Sequence, residues 1–299
     1  MLKIVWSEEY LKYKFGPNHP FWPERGRVFL DLIDEAGLRY DLAEPEKASD
    51  SDVLLVHVQG YLDGVKKLYQ EGGSLSPDTP LYSGVLEAAY YSVGGSILAA
   101  RLALSGEKVI NPLGGWHHAK TARGGGFCIF ADHAIAIRKL QQESVIEKAM
   151  VFDLDAHAGN GTQEIFYSDP AVFNISLHQD PHTLYPGTGF AHQRGQGEGK
   201  GFNLNVPLSP GATGSRYLEE LDSVLPLRGE YQPDLTFLIL GVDTYKEDPL
   251  TQLGLEEDDY FKIGKRFNEF RNLAVLFAGG YSKKTPELWL NFIRGLMLK

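Results

Sequence analysis

Four short apolar runs in this chain each end in residues suited to chemistry rather than to packing. The run at Met150–Leu154 issues in DLDAHAGNG, Leu235–Leu240 in GVDTYKED, Leu273–Phe277 in AGGY, and Val109–Ile110 in NPLGGWHH. Continuous apolar runs of this length, rich in β-branched residues, are the mark of strands covered on both faces. Val53–Val58 and Val172–Leu177 read the same way, and the stretches Leu86–Leu104, Ala134–Gln142 and Asp258–Phe270 carry helical patterning. Strands alternating with helices predict an α/β chain with a mostly parallel central sheet and helices on both faces. Ligands of such sheets bind beyond the carboxyl ends of the strands, so four strands delivering polar groups to one edge mark a site there. No repeat or low-complexity linker divides the 299 residues, and the glycine-rich segment 193–201 reads as an exposed loop. Residues 1–299 are therefore expected to form one domain.

Composition narrows the partners. A formal net charge of −10 repels a phosphate backbone, which disfavours nucleic acid. The single cysteine, Cys128, excludes an intrachain disulfide and fits a reducing compartment. The opening MLKIVWSEEYLKYKF has no charged-then-apolar leader, and no apolar run approaches the roughly 18–20 residues that span a bilayer. A cytoplasmic protein without membrane partners is the expectation.

In DLDAHAGNG, Asp153, Asp155 and His157 stand two residues apart, and extended backbone puts alternate residues on one face. Two carboxylates brought together in an apolar setting repel unless one is protonated or a cation lies between them. The competing reading makes Asp155 a helix cap and His157 an ordinary loop histidine. Asp243 also follows a strongly apolar run, where an unpaired charge costs several kcal/mol. Asp155, His157 and Asp243 would give three protein ligands with a position left open, as in catalytic rather than structural zinc sites. Oxygen-rich ligation also admits iron or another first-row ion.

Water on such an ion has its pKa lowered to about 7. It needs a base, and the leaving group needs an acid. The adjacent His117 and His118 can supply both, with Asp153 a natural partner to orient one imidazole. Tyr281, after the Ala278–Gly280 turn, is placed to donate its hydroxyl to a developing oxyanion.

Taken in order, GPNHPFWPERG, GGWHHAK, RGGGFC, DLDAHAGNGTQ, SLHQDPHTLYPGTG, GVDTYKEDPLTQLGL and AGGY resemble the zinc-dependent histone deacetylase superfamily, which includes acetylpolyamine amidohydrolases and acetoin-utilisation proteins. The likeness spans roughly residues 13 to 281 and is that of a compact prokaryotic-type member; RGGGFC and DLDAHAGNG lean towards its class II and class IV branches. It implies a single-domain arginase/deacetylase-like fold. It implies one Zn2+ on Asp155, His157 and Asp243. It implies His118 as base and acid, His117 assisting and bonded to Asp153, and Tyr281 polarising the acyl carbonyl. A structural K+ is implied at Asp153, Asp155, His157, Ser176 and Leu177. Gly126, Phe127 and Tyr185 match positions lining an acyl-lysine tunnel, Asp78 matches a rim aspartate that holds the substrate backbone, and Arg25 an arginine beneath the site. The chain departs from the family at Ala158, which breaks a common histidine doublet, and at Asn160, which replaces an aspartate often paired with the second catalytic histidine. Without that carboxylate His118 is expected to protonate less readily.

The expected activity is a metal-dependent amide hydrolase that uses metal-activated water to remove an acetyl or other acyl group from a lysine side chain or similar primary amine. Its partners would be acyl-lysine peptides or proteins, or acylated small amines. An acetylpolyamine amidohydrolase, a binuclear manganese ureohydrolase of the arginase type, and a catalytically silent acyl-group-binding protein are the alternatives. The loops 70–80 and 178–189 are expected to shape the rim, and the tunnel to accept a linear alkyl amine.

Overall fold

The computed structural model describes residues 2–298. Strand β1 (Leu2–Val5) is followed by helix α1 (Arg25–Glu35), β2 (Tyr40–Ala43), α2 (Asp50–Val53), α3 (Gln59–Glu71), α4 (Val85–Leu104), β3 (Lys108–Asn111), α5 (Asp132–Gln142) and β4 (Ala149–Asp153). The chain continues through α6 (Asn160–Phe166), β5 (Val172–Gln179), β6 (Asn203–Leu208), α7 (Gly214–Val224), α8 (Leu227–Tyr231), β7 (Leu235–Leu240), α9 (Glu257–Phe267), β8 (Leu273–Phe277) and α10 (Thr285–Leu296). The eight strands form one sheet in the order β2-β1-β3-β8-β7-β4-β5-β6. Every pairing in it is parallel.

Every residue of β4, β5, β7 and β8 is buried, so these strands are covered on both faces, as their unbroken apolar runs require. Helix α4 packs against α5 and against β3 and β8, while α10 packs against α9 and α1. The four strands whose ends carry unusual residues, β3, β8, β7 and β4, are consecutive neighbours in the sheet. Parallel pairing then sets all four carboxyl ends side by side along one edge.

The sequence reading misplaces some elements. Val53–Val58 is not a strand: Asp50–Val53 is a helical turn, and the chain then turns again. Ser49 caps that turn, its hydroxyl accepting from the Asp52 N–H while the Asp52 carboxylate accepts from the Ser49 N–H. Reciprocal capping of this kind satisfies two otherwise orphaned donors and outweighs the β preference of VLLV. Strands β1, β2 and β6 have no strong apolar signal. β2 and β6 are the sheet's edges, where one side is open to water: Leu42 is 56% exposed. Pro207 is tolerated in β6 because an edge strand needs no second ladder of donors.

Candidate active site

Leaving β4, the chain satisfies itself through the carboxylates it carries. The Asp155 N–H donates to Asp153 Oδ1 at 3.2 Å and the His157 N–H to Asp155 Oδ1 at 2.9 Å. Asp243, past the end of β7, accepts the Ala156 N–H at 2.9 Å, and Asp155 Oδ2 accepts the Gly279 N–H beyond β8 at 2.8 Å. These bonds aim the remaining ligand atoms at one another. His157 Nδ1 lies 3.1 Å from Asp155 Oδ1 and 3.0 Å from Asp243 Oδ2. One ligand atom from each of the three side chains falls within 4.8 Å of the others, and all three residues are buried. Only glycine fits at 279, where an added Cβ would stand 2.3 Å from Asp243 Oδ2 and 2.4 Å from Asp155 Oδ2.

The histidine pair is assembled by a separate turn. The buried Asp132 carboxylate at the start of α5 accepts the Gly115 N–H at 2.9 Å and the Trp116 N–H at 2.7 Å, together with the Ser96 hydroxyl. Trp116 stacks on Tyr13 with ring centres 4.4 Å apart. His117 Nδ1 then donates to Asp153 Oδ2 at 2.7 Å. His118 Nδ1 lies 2.9 Å from Asn160 Oδ1, which can only accept, so this nitrogen carries a proton and, in the neutral ring, Nε2 of His118 is bare. That Nε2 is 3.1 Å from His117 Nε2.

The electrostatics agree. Burial opposes charge on His117, but Asp153 and Asp155 outweigh it and raise the group to about 9. His118 is pushed well below the ordinary histidine value by burial and by the charges of His117 and His157. Burial likewise opposes charge on His157, yet Asp155 and Asp243 lift it to about 10. Asp243 is pushed up to about 7 by burial and by the facing Asp155 carboxylate. Burial also works to raise Asp155, but His117 and His157 hold it below its usual range. Asp155 and Asp243 face each other across His157, whose proton offsets their repulsion. A divalent cation in place of that proton would offset the same repulsion. The donor set therefore fits such an ion, seated where His157 otherwise carries a proton between two carboxylates.

Tyr281 closes the other side. Its N–H donates to Asp248 Oδ2 at 2.8 Å, and burial next to Asp155 and Asp243 raises its phenol well above the ordinary value, keeping the hydroxyl protonated. Arg25 is buried beneath, donating to Ala278 O at 2.6 Å and Gly280 O at 2.7 Å, with Phe21 and Trp289 against its guanidinium. Tyr281, His117, His118, Asp155, Gly126 and Phe127 border one narrow cavity. The Phe127 ring stands 5.6 Å from that of Tyr281, and the Tyr185 ring 4.9 Å from that of His118. Tyr185, outside the lining of that cavity, is 49% exposed.

The remaining expected residues sit nearby in different company. Ser176 pairs with Asp153 across β4 and β5, with Leu177 following it, and its hydroxyl bonds to His178 Nδ1 at 2.8 Å. Asp78 uses Oδ1 within its own loop, accepting the Ser76 and Thr79 hydroxyls and, at 3.3 Å, the Gly126 N–H. Asp132, Asp248 and Thr79 hold the site together and escape a sequence reading. Each makes a decisive bond to a residue distant in sequence, such as Asp248 with Tyr281 33 residues on and Thr79 with Phe127 48 residues on.

Among the described residues, no helix is long and apolar enough to cross a membrane. Residues 19–296 match the histone deacetylase domain model. A probable deacetylase of Archaeoglobus fulgidus is 37% identical, with 93% of this chain and 81% of that protein covered. The acetoin utilization protein AcuC of Bacillus subtilis is 33% identical over 93% of this chain and 74% of its own. A crystal structure of an acetylpolyamine aminohydrolase from Burkholderia pseudomallei superposes with a TM-score of 0.88 at 25% identity, covering 100% of this chain and 99% of that one. The sheet is thus the arginase/deacetylase-like fold, and the chain belongs to the histone deacetylase superfamily of deacetylases and amidohydrolases.

Proposed function

We propose that this chain, acting as one catalytic domain, hydrolyses the amide of an acylated primary amine, with an acyl-lysine side chain as the substrate class. The observation that carries this reading is the meeting of Asp155, His157 and Asp243 within 4.8 Å beside the paired imidazoles of His117 and His118. Asp155, His157 and Asp243 would hold one Zn2+, which when bound polarises the acyl carbonyl and makes water nucleophilic near neutral pH. His118 takes the proton of the attacking water on its bare Nε2 and returns it to the departing amine. His117 is fixed by Asp153, and burial together with the neighbouring His117 favours the basic form of His118. The Tyr281 hydroxyl donates to the carbonyl oxygen as it gains charge. Gly126, Phe127 and Tyr185 line the passage for the alkyl chain. A structural K+ at Asp153, Asp155, His157, Ser176 and Leu177 would brace the loop after β4.

Turnover on an acetyl-lysine reporter that is abolished by a hydroxamate chelator, with one ion per chain by elemental analysis, tests the reading. Two ions per chain would favour the arginase-type alternative; among the described residues only one group of three potential ligands meets in this way. An ion with no turnover on any acyl amine would favour a silent acyl-binding protein. A panel of acyl-lysine peptides and acetylated polyamines separates the substrates, and cleavage confined to branched or aromatic amides would refute the linear passage.

Two variants probe the details. An added Cβ at Gly126 would lie 2.6 Å from His118 Cδ2 and 3.0 Å from Tyr185 Cε1, on a backbone with φ of +56°. Gly126→Ala is expected to lower kcat/KM about tenfold or more, since roughly 1.4 kcal/mol of strain or misplacement is a factor of ten; unchanged kinetics would place the cavity wall elsewhere. Asn160→Asp sets a carboxylate 2.9 Å from His118 Nδ1. A negative neighbour favours the protonated imidazole, so the pKa of His118 rises and its basic form is lost at higher pH. The acidic limb of the kcat/KM profile should move upward by about one unit or more. A limb that stays put would remove His118 as the base.

A further inference from the structure

Phe127 has a backbone φ of +67°, a region that a residue with a bulky side chain rarely occupies. Such a conformation persists only when its surroundings over-determine it, and here they do so from two sides. The Phe127 carbonyl accepts the Tyr13 hydroxyl at 2.8 Å. The Phe127 N–H donates to Thr79 Oγ1 at 3.0 Å. The Thr79 hydroxyl, wholly buried, donates in turn to Asp78 Oδ1 at 2.9 Å. The same Asp78 oxygen accepts the Gly126 N–H, and the Ser76 hydroxyl closes the loop on it. His19, whose Nδ1 accepts the Phe21 N–H, donates from Nε2 to the Asp78 carbonyl at 3.1 Å and meets the Phe127 ring edge-on at 4.3 Å. Asp78 and Thr79 thus grip two consecutive left-handed residues, Gly126 and Phe127. The Phe127 ring in turn packs on Tyr281.

We infer that Thr79 is a positioning residue: its hydroxyl relays Asp78 to the Phe127 amide and so sets where the Phe127 wall stands. Its effect on substrate rests on the reading that Phe127 lines the acyl-amine passage. A wall that touches the alkyl chain equally before and during reaction contributes uniform binding, which appears in KM rather than kcat. Thr79 therefore tunes substrate fit without touching the proton chemistry of His118.

The test uses the full chain with its metal and compares Thr79→Val, which keeps the shape but lacks the hydroxyl, with Thr79→Ser, which keeps the hydroxyl. On an acetyl-lysine reporter, Thr79→Val is expected to raise KM about tenfold, with kcat within about threefold and an unshifted pH profile. Thr79→Ser is expected to stay near wild type. An unchanged KM in Thr79→Val would overturn the proposal, and a loss confined to Thr79→Ser would mean that the methyl matters and the relay does not. Crystal structures of both variants read the same claim without turnover: Phe127 should leave the positive-φ region in Thr79→Val alone. A Phe127 that keeps its place there overturns the inference. A wild-type protein that cleaves no acyl amine, while Phe127 still moves in Thr79→Val, sinks the functional reading and leaves the positioning role standing.

Discussion

Asp243→Ala should lose its bound ion and its turnover together. Asp243 contributes one of the three ligand atoms, and its other oxygen holds the Ala156 N–H that shapes the loop after β4. Bound divalent ions supply several kcal/mol of transition-state charge stabilisation, and each 1.4 kcal/mol is a factor of ten. A fall in kcat/KM of about 10³-fold or more is therefore expected, with less than one ion per chain after dialysis. Full activity after exhaustive metal stripping, or in this variant, would end the hydrolase mechanism proposed above. Stripping the wild type also has a stability signature. Without an ion, His157 keeps a proton, raised to about 10, between Asp155 and Asp243. A raised folded-state pKa gives stability that is complete below the unfolded value and lost as pH rises through the folded one. Asp243, also raised, changes in the same direction, because holding it ionised in the folded state costs more as pH climbs towards 7. Ion binding replaces the proton and strengthens with pH. The gap in Tm between loaded and stripped protein should widen between pH 6 and pH 9; a gap that narrows would mean that the ion does not sit among these groups.

His118→Ala should leave the ion in place and remove the base. General acid–base groups contribute roughly 10²–10⁴-fold. A loss in that range is expected with metal content still one per chain, because no ligand atom has been touched. His117 cannot substitute well: it is already protonated and bonded to Asp153. The basic form of His118 should persist as pH falls below neutrality, since burial and the neighbouring His117 push its pKa well below the ordinary histidine value. Retention of full turnover in His118→Ala would move the proton work to another residue.

The two variants differ in how visible their residues are in the sequence. Asp155 and His157 are close in sequence, but strand period does not bring them together: β4 ends at Asp153 and residues 155–157 form a bend in which the His157 N–H folds back onto Asp155 Oδ1. Their meeting with Asp243 follows once both strands are known to be parallel and adjacent, which an apolar run indicates but does not prove. The histidine pair is visible because two imidazoles among glycines are unusual. Asp132, which builds the turn beneath that pair, is invisible: its partners at Ser96, Gly115 and Trp116 come from two other segments. Asp78 is matched to a rim by a motif alone, and its bond to the Gly126 N–H is visible only in the structure. Edge strands β2 and β6 were missed because a half-solvated strand needs no apolar run, and 53–58 was misread because cap geometry at Ser49 overrode the strand preference.

What the sequence by itself determined is the set of groups and the edge at which they emerge: buried strands must be apolar along their length, so polar residues at their ends stand out. Only the tertiary structure decided which histidine carries charge. That depends on Asn160 facing His118 while Asp153 faces His117, a choice made by side-chain packing across the loop after β4, where sequence spacing has no say.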